Sequence, residues 1–374
     1  MLRGARPLVD IERGVIASHD VGPNSDDRVS AFIAGHPTAN PASVAAADRA
    51  LQIAGESAGH GGLLVLLSGG ASAMLAAPVA EVGLEAKQET ARLLMRAGAA
   101  IDELNCVRKH LSRIKGGRLA AAAGATVTLA LSDVHAPVPD DPSVIGSGPT
   151  VADPTTFAQA LAIIDRFGVA VPASVRGHLE AGARGESEET VKPGDPRLQS
   201  SSYVVIASRQ TAVEGARRMA IECGYDVIVF PEVIAGEARG AGAAFTSQGL
   251  RAAIGNSRPV CVLGSGETTV TVKGTGTGGR NQEFVLGGAG SLNAHSNGGV
   301  VLGSAGTDGV DGPTTAAGAL ADATTLARAH ALGLDENAAL ERNDAYPFFA
   351  GLRDLIVWGP TGTNVGDLHV LLIG

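Results

Sequence analysis

An α/β protein of two domains, a Rossmann-like N-terminal domain followed by a second α/β region, is the fold class this sequence predicts. Three observations carry that expectation. The chain has 374 residues, enough for about two cores of ordinary size. Short apolar runs of strand length alternate with longer helical runs. Turns rich in glycine and hydroxyls follow several of those runs, where open α/β sheets bind ligands. The polar, proline-bearing stretch 182–202 is the composition seam, and it predicts domains at 1–199 and 200–374.

Composition excludes several classes. Hydrophobic residues make up 45% and charged residues 18%, which is globular rather than disordered. A net charge of −9 and no basic stripe argue against a nucleic-acid partner. No apolar run approaches the ~18 residues of a membrane span, and the N-terminus lacks a basic-then-apolar leader pattern. A cytoplasmic protein without a membrane partner is therefore expected. Cys106, Cys223 and Cys261 have no metal-ligand spacing and read as buried, reduced thiols.

Along the first half, residues 14–18 and 29–33 read as strands around a polar loop that includes 22–25, and His36-Pro37 ends the second. Ser43 reads as the N-cap of an alanine-rich helix to about residue 54. Residues 62–67 form a buried strand that opens into Ser68-Gly69-Gly70-Ala71-Ser72, a turn suited to an anion. Helices follow at 84–99 and from Ile101 to near Gly116-Gly117. The second carries Arg108, Lys109, His110, Arg113, Lys115 and Arg118, and Lys115 can swing toward a phosphate. Strand 126–131 delivers Ser132-Asp133 at its carboxyl end, where a carboxylate reads as a ligand. Gly146-Ser147-Gly148 is another hydroxyl-bearing turn, and Asp153 to Thr156 cap the next helix.

In the second half, strand 203–207, helix 211–223 and strand 226–230 predict a β-α-β unit, followed by a helix over 240–254. Strand 260–263 should open into the turn Gly264-Ser265-Gly266-Glu267, with a second strand over 268–273. A glycine-rich loop then ends in Gly278-Gly279 and brings Arg280, Asn281 and Glu283 to the start of a helix. After strand 300–302 come Asp308 and Asp311 between glycines, and Asn364 lies in the last glycine-rich loop, before a closing strand over 368–373. Arg280 can grip a phosphate or carboxylate through two parallel hydrogen bonds. Loop amides and a helix N-terminus favour an anion, and the aspartates are hard ligands of the kind that hold Mg2+ near phosphates. The competing reading is that these glycines only make turns and the aspartates cap helices.

These loops together resemble the glycerate 2-kinase family, often labelled hydroxypyruvate reductase, whose C-terminal half is called the MOFRL domain. The resemblance rests on Leu66 to Ser72, Asn105 to Leu119, Leu131 to Val134, Ile145 to Thr156, Gly266 to Thr269, Gly278 to Phe284, Gly306 to Gly318 and Gly359 to Asp367. It implies a MOFRL domain at about 257–370 and an interdomain cleft where ATP, Mg2+ and glycerate meet. A homo-oligomer is compatible with it. Residues and resemblance together nominate Arg280, Lys115 and Asp308 as catalytic. Ser68, Gly69, Gly70, Ser72, Ser147, Gly148, Gly278, Gly279, Asn281 and Asn364 are nominated for substrate or nucleotide, and Asp133 and Asp311 for metal.

Three features depart from the family pattern. Its members begin with a further strand and a Gly-Lys-Ala turn that no residue here matches. His36-Pro37-Thr38-Ala39-Asn40 stands where His-Pro-x-Pro-Asp is usual, and His135-Ala136-Pro137 replaces a Gly-Asp pair. Phosphorylation of D-glycerate at its 2-hydroxyl is the leading expectation, with the unmatched lysine predicting weak activity. A hydroxypyruvate reductase and a non-catalytic binding protein are the alternatives; the first lacks a strand followed by a Gly-x-Gly-x-x-Gly turn.

Overall fold

The computed structural model describes residues 1–20, 26–293 and 299–374, so the expected loop at 22–25 lies outside the described residues. The chain divides into two compact units, Met1–Ile206 and Ala207–Gly374.

Unit 1 starts with α1 (Leu2–Ala5) and the strands β1 (Gly14–Ser18) and β2 (Val29–Ile33), which pair in parallel. α2 (Pro41–Ser57) follows, then β3 (Leu63–Leu67), α3 (Ala71–Met74), α4 (Gly83–Arg96), α5 (Ile101–His110), α6 (Arg118–Ala123), β4 (Thr126–Leu131), α7 (Phe157–Phe167), α8 (Ala173–Ala183) and β5 (Ser201–Ala207). Asn40 caps α2 by accepting from the Ser43 amide, and Ser43 returns the bond to the Asn40 amide. Ser43 is therefore the third helical residue of a capping box rather than the cap itself. One core packs Ala47, Ala50 and Ala54 of α2 onto Val65, Leu67 and Ala130 of β3 and β4. A second joins Leu94, Leu104, Phe157, Ile164 and Leu179 of α4, α5, α7 and α8.

α5 stops at His110, short of the predicted end. The next residues bond elsewhere, with the Arg113 amide donating to the Ala77 carbonyl at 2.8 Å and the Gly117 amide to that of Gly148 at 2.8 Å. These tertiary hydrogen bonds replace the helical ones that the sequence pattern favours locally.

Unit 2 comprises α9 (Arg209–Glu222), β6 (Asp226–Glu237), α10 (Ala238–Ala252), β7 (Val260–Thr269), α11 (Arg280–Asn293), β8 (Val300–Gly306), β9 (Gly318–Asp322), α12 (Thr325–Ala331), α13 (Glu336–Arg342), α14 (Ala345–Leu352), β10 (Leu355–Ile356) and β11 (Asp367–Ile373). Its sheet among the described residues runs β10-β9-β8-β11-β7-β6. β6 and β7 are parallel and the other pairs antiparallel. Alternation sorts β7 between two cores: Val260 and Val262 face Phe245, Phe284 and Leu371, whereas Cys261 and Leu263 face Ala220 of α9.

Three expectations change. β5 joins the sheet order β3-β4-β5, with Tyr203 and Val205 packed on the unit 1 core, so it forms no β-α-β unit with β6. The predicted turn at 264–267 and only the first two residues of the strand expected over 268–273 belong to one strand, β7, which ends at Thr269 and leaves 270–273 irregular. Gly264 and Gly266 serve close packing there: a Cβ on Gly266 would lie 1.9 Å from the Ile234 carbonyl oxygen, and one on Gly264 2.5 Å from Ile234 Cδ1. Cys106 and Cys261 are buried free thiols as expected, but Cys223, at the end of α9, is exposed. Among the described residues no helix is long and apolar enough to cross a membrane.

Candidate active site

The nominated residues fall into two groups, one in each unit. In unit 2, the glycine-rich loop after β7 hands the chain to α11 at Arg280. The Arg280 guanidinium grips Asp367, at the start of β11, with Nε to Oδ2 at 2.6 Å and Nη2 to Oδ1 at 3.0 Å. Its Nη1 donates to Glu267 of β7 at 2.6 Å. Asp367 is 0% exposed at its side chain and Glu267 48%. The two-pronged grip expected for a ligand is thus made to a buried carboxylate of the same unit. Of five guanidinium N–H groups, these bonds leave one on each Nη. Burial works against the charge of Arg280, but the hydrogen bond to Asp367 and the nearby carboxylates outweigh it and hold its pKa above the ordinary value.

Asp311, on the loop after β8, turns inward. Its Oδ1 accepts from the Asn281 amide at 3.0 Å and from Asn281 Nδ2 at 3.3 Å, and its Oδ2 from the Gln282 amide at 2.9 Å. The carboxylate caps α11, which is the competing reading of the sequence, and it occupies helix-start amides that were expected to meet an anion. Burial, aided by the like charge of Asp367, pushes Asp311 up to about 6. Gly279 is required beside it, since a Cβ there would stand 2.2 Å from Asp311 Cγ. The Gly278 carbonyl oxygen lies against Gly312 in the same loop.

A buried relay continues from the cap. Ser304 Oγ donates to Asn281 Oδ1 at 2.5 Å and lies 2.8 Å from His369 Nδ1. With the serine proton on the amide oxygen, His369 Nδ1 carries the proton of their contact. Burial drives His369 down to about 4, and its ring stacks on Phe284 at 4.0 Å.

Asp308 is half-buried, and its Oδ1 accepts from the Val310 amide at 3.0 Å. Its carbonyl accepts from the Thr361 amide, and Thr307 binds the Gly366 carbonyl, lacing the loop after β8 to the loop before β11. Asp308 and Asp367 both lie within 4 Å of the position that a Cβ on Gly306 would take. Asn364 tightens the second loop by accepting from the Gly366 amide at 3.0 Å.

In unit 1, Lys115 is 1% exposed. Its Nζ donates to the Ser72 carbonyl at 3.1 Å, Ser72 Oγ at 2.9 Å and the Gly146 carbonyl at 2.9 Å. Lys115 is held rather than free to swing, and its partners are all neutral. Burial, then the nearby cations Arg108, Lys87 and Lys109, force its pKa well below the ordinary lysine value. Ser72 Oγ lies 2.9 Å from Ser147 Oγ, which donates to Asn105 Oδ1 at 2.9 Å. Ser147 and Gly148 both have positive φ, at 62° and 59°, on the tight turn that presents them. Ser68 is exposed at the end of β3, and Gly69 and Gly70 link it to α3. Asp133 stands half-buried just beyond β4, after the buried Ser132.

No group of three or more His, Cys, Asp or Glu side chains among the described residues is placed to hold a metal ion. The cap of α11 takes three of the roughly four acceptor positions of the Asp311 carboxylate, which leaves little of it for a metal.

Sequence reasoning assigned no role to Asp367, Glu267, Ser304, His369, Asn105 or Arg108. Asp367 carried one signal, an acid where a glycine-rich loop becomes a strand; its partner Arg280 lies 87 positions away, a pairing that local pattern does not encode. Ser304 and His369 read as ordinary strand residues.

Two α/β units, a buried lysine among hydroxyls and an arginine among carboxylates at glycine-rich loops present groups suited to an anionic substrate. Comparison with known proteins is specific. Residues 1–180 match the family described as a domain of unknown function, DUF4147, and residues 260–367 match the MOFRL family. A protein of Agrobacterium vitis bearing the name hydroxypyruvate reductase is 38% identical over 99% of this chain and 83% of its own. The glycerate 2-kinase of Pyrococcus horikoshii is 35% identical over 100% of this chain and 84% of its own. A crystal structure of glycerate kinase from Thermotoga maritima superposes with a TM-score of 0.85 at 35% identity, covering 97% of this chain and 85% of that one. The chain belongs to the glycerate kinase family.

Proposed function

We propose that this protein phosphorylates D-glycerate at the 2-hydroxyl, using ATP and giving 2-phosphoglycerate. The observation that carries the reading is Arg280, fixed by Asp367 and Glu267 with two N–H groups left over, on the loop cluster that also bears Asp308. Phosphoryl transfer asks the protein chiefly to position reactants and stabilise charge. In this reading Arg280 stabilises the transferring phosphoryl group, and Asp308 orients the attacking hydroxyl. Lys115, Ser72 and Ser147 bind an anionic group by exchanging the internal hydrogen bonds that now occupy their donors, with Ser68, Gly69, Gly70 and Gly148 shaping the turns. Asp133 stays assigned to metal, the Mg2+ that accompanies the nucleotide. Asp311, Asn281, Gly278 and Gly279 set the start of α11, and Asn364 sets the loop that carries Asp367.

Charge divides the two groups. Arg280 is surrounded by Asp367, Glu267 and Asp311, an acidic setting that receives a phosphate best with its counter-ion, so Mg2+ is read as arriving on the nucleotide as part of the substrate. The Lys115 group is cationic and suits a carboxylate or bare phosphate.

The test is product formation from D-glycerate with ATP and Mg2+, followed by phosphorus NMR, beside oxidation of NADH or NADPH with hydroxypyruvate. ATP-dependent 2-phosphoglycerate is expected. Nicotinamide oxidation without it would replace the kinase reading by the reductase one, and ligand binding without turnover would leave a binding protein.

A further inference from the structure

Unit 1 contains a polar cavity of about 300 Å³, walled by Ser112, Arg113, Arg118, His178 and Ser187 with Val79 and Phe157 as its apolar side. That volume is at the small end of sites that hold organic ligands. Lys115, Ser68, Ser72, Ser147 and Asp133 do not line it.

Its charge is unusual for a chain with a net charge of −9. Arg118 has no carboxylate partner among the described residues; Nη1 donates to the Lys109 and Ser112 carbonyls at 3.1 and 2.8 Å, and Nη2 to that of Glu188 at 3.0 Å. Two of its five N–H groups remain. Arg113 binds the Pro78 carbonyl through Nε and Asp48 through Nη2, which leaves its Nη1. Glu188 is the one acid on the wall, and its carboxylate is paired with Arg197 at 2.9 Å. Neighbouring Glu189 is engaged by Lys192 and the Phe157 amide. Lys87 is buried, with only the Leu111 carbonyl as partner, and Arg108 makes no hydrogen bond or ion pair among the described residues. Arg108, Arg113 and Arg118 all crowd Lys87 closely enough to disfavour its charge, after burial itself. Of Lys87, Arg108, Arg113 and Arg118 only Arg113 has a direct carboxylate partner among the described residues, and Glu188, Glu189 and Asp153 act on Arg118 from a distance; cations in excess of their carboxylates are stabilised by an anion from outside.

We propose that this cavity binds a small phosphate oxyanion, either inorganic phosphate or the phosphate of a small monoester. Arg118 and Arg113 supply guanidinium N–H donors, and the Ser187 hydroxyl, without a partner among the described residues, supplies a third group. Val79 and Phe157 accept the carbon stem of an ester. The assignment is independent of glycerate phosphorylation, because it uses none of the residues proposed for that reaction.

The experiment titrates the full chain with inorganic phosphate, and separately with glycerol phosphate, while NMR follows the His178 imidazole, assigned through His178→Gln. A saturable shift of His178 is expected, unchanged in Arg280→Lys. It should weaken about tenfold or more in Arg118→Gln and in Ser187→Glu, which adds a negative charge at ~4 Å range without removing a bond of the fold. Ser187→Glu should melt as the parent does, which keeps the test meaningful if Arg118→Gln folds poorly. Tighter binding of glycerol phosphate assigns the cavity to a monoester, and equal binding assigns it to free phosphate. No saturable shift, or one that Ser187→Glu leaves intact, would overturn the proposal.

Discussion

Replacing Arg280 by lysine separates the charge of this group from its geometry. Arg280 makes three charge-assisted hydrogen bonds, two of them to a fully buried Asp367. A lysine keeps the positive charge but offers one nitrogen where the guanidinium offers a planar fork. One Asp367 oxygen then loses its partner in a buried place, at a cost of about 1.5–3 kcal/mol. The bond to half-exposed Glu267 adds less than about 1 kcal/mol. Stability should fall by roughly 2–3 kcal/mol in denaturant unfolding, with the slope unchanged. Turnover with ATP and glycerate should fall about 10²-fold or more, the scale of one lost donor to developing charge. The fall should survive at temperatures where the variant is fully folded. A lysine variant that turns over normally would make Arg280 a structural clamp for β11 and α11, with the chemistry elsewhere. Loss of turnover that tracks the unfolded fraction would point the same way.

Two further outcomes follow from buried ionisable groups. Lys115→Met should lose most activity and also lower stability, because it removes three hydrogen bonds and leaves the Ser72 and Gly146 oxygens without that donor; a melting temperature equal to the parent's would refute this. Asp311 titrates near 6 in the folded chain against 3.8 unfolded, so its contribution is complete below 3.8 and is lost as pH rises through 6. Measured against Asp311→Asn to cancel other groups, wild-type stability should decline by about 3 kcal/mol across that window, and a flat difference would show that Asp311 titrates normally.

Much of the fold was legible because local pattern and final structure agree. β1, β2 and β4 occupy the residues their apolar runs predicted, and α11 begins at Arg280 where the glycine-rich loop ends. Legibility failed where long-range packing decided the outcome. Gly264 and Gly266 look like a turn in sequence, yet each is a glycine because another strand or helix leaves no room for a Cβ. α5 ends early because Arg113 and Gly117 find backbone partners outside the helix. β5 reads equally well as the first strand of a β-α-β unit, and only Tyr203 and Val205 packing against the unit 1 core assign it to β4. The site followed the same division. Residue types told which chemistry gathers at the loops, but not that the Arg280 fork closes on Asp367, or that Asp311 faces α11 amides instead of a metal.

Arg280 and Lys115 mark opposite ways of holding a cation, and the contrast bears on what each group can bind. Arg280 is surrounded by carboxylates that keep it charged and rigid while making its surroundings acidic. It can steady charge that develops during transfer, but it does not attract a free anion from solution over any distance. Lys115 has only neutral oxygens around it, and cations beyond them. An anion placed beside Ser72 and Ser147 would favour the charged form of Lys115 that burial opposes, and so hold its pKa higher. A calorimetric titration with glycerate across a range of pH measures that coupling. Affinity that falls as pH rises in the parent and loses that dependence in Lys115→Met is expected, and a pH-independent affinity in the parent would place the anion away from Lys115.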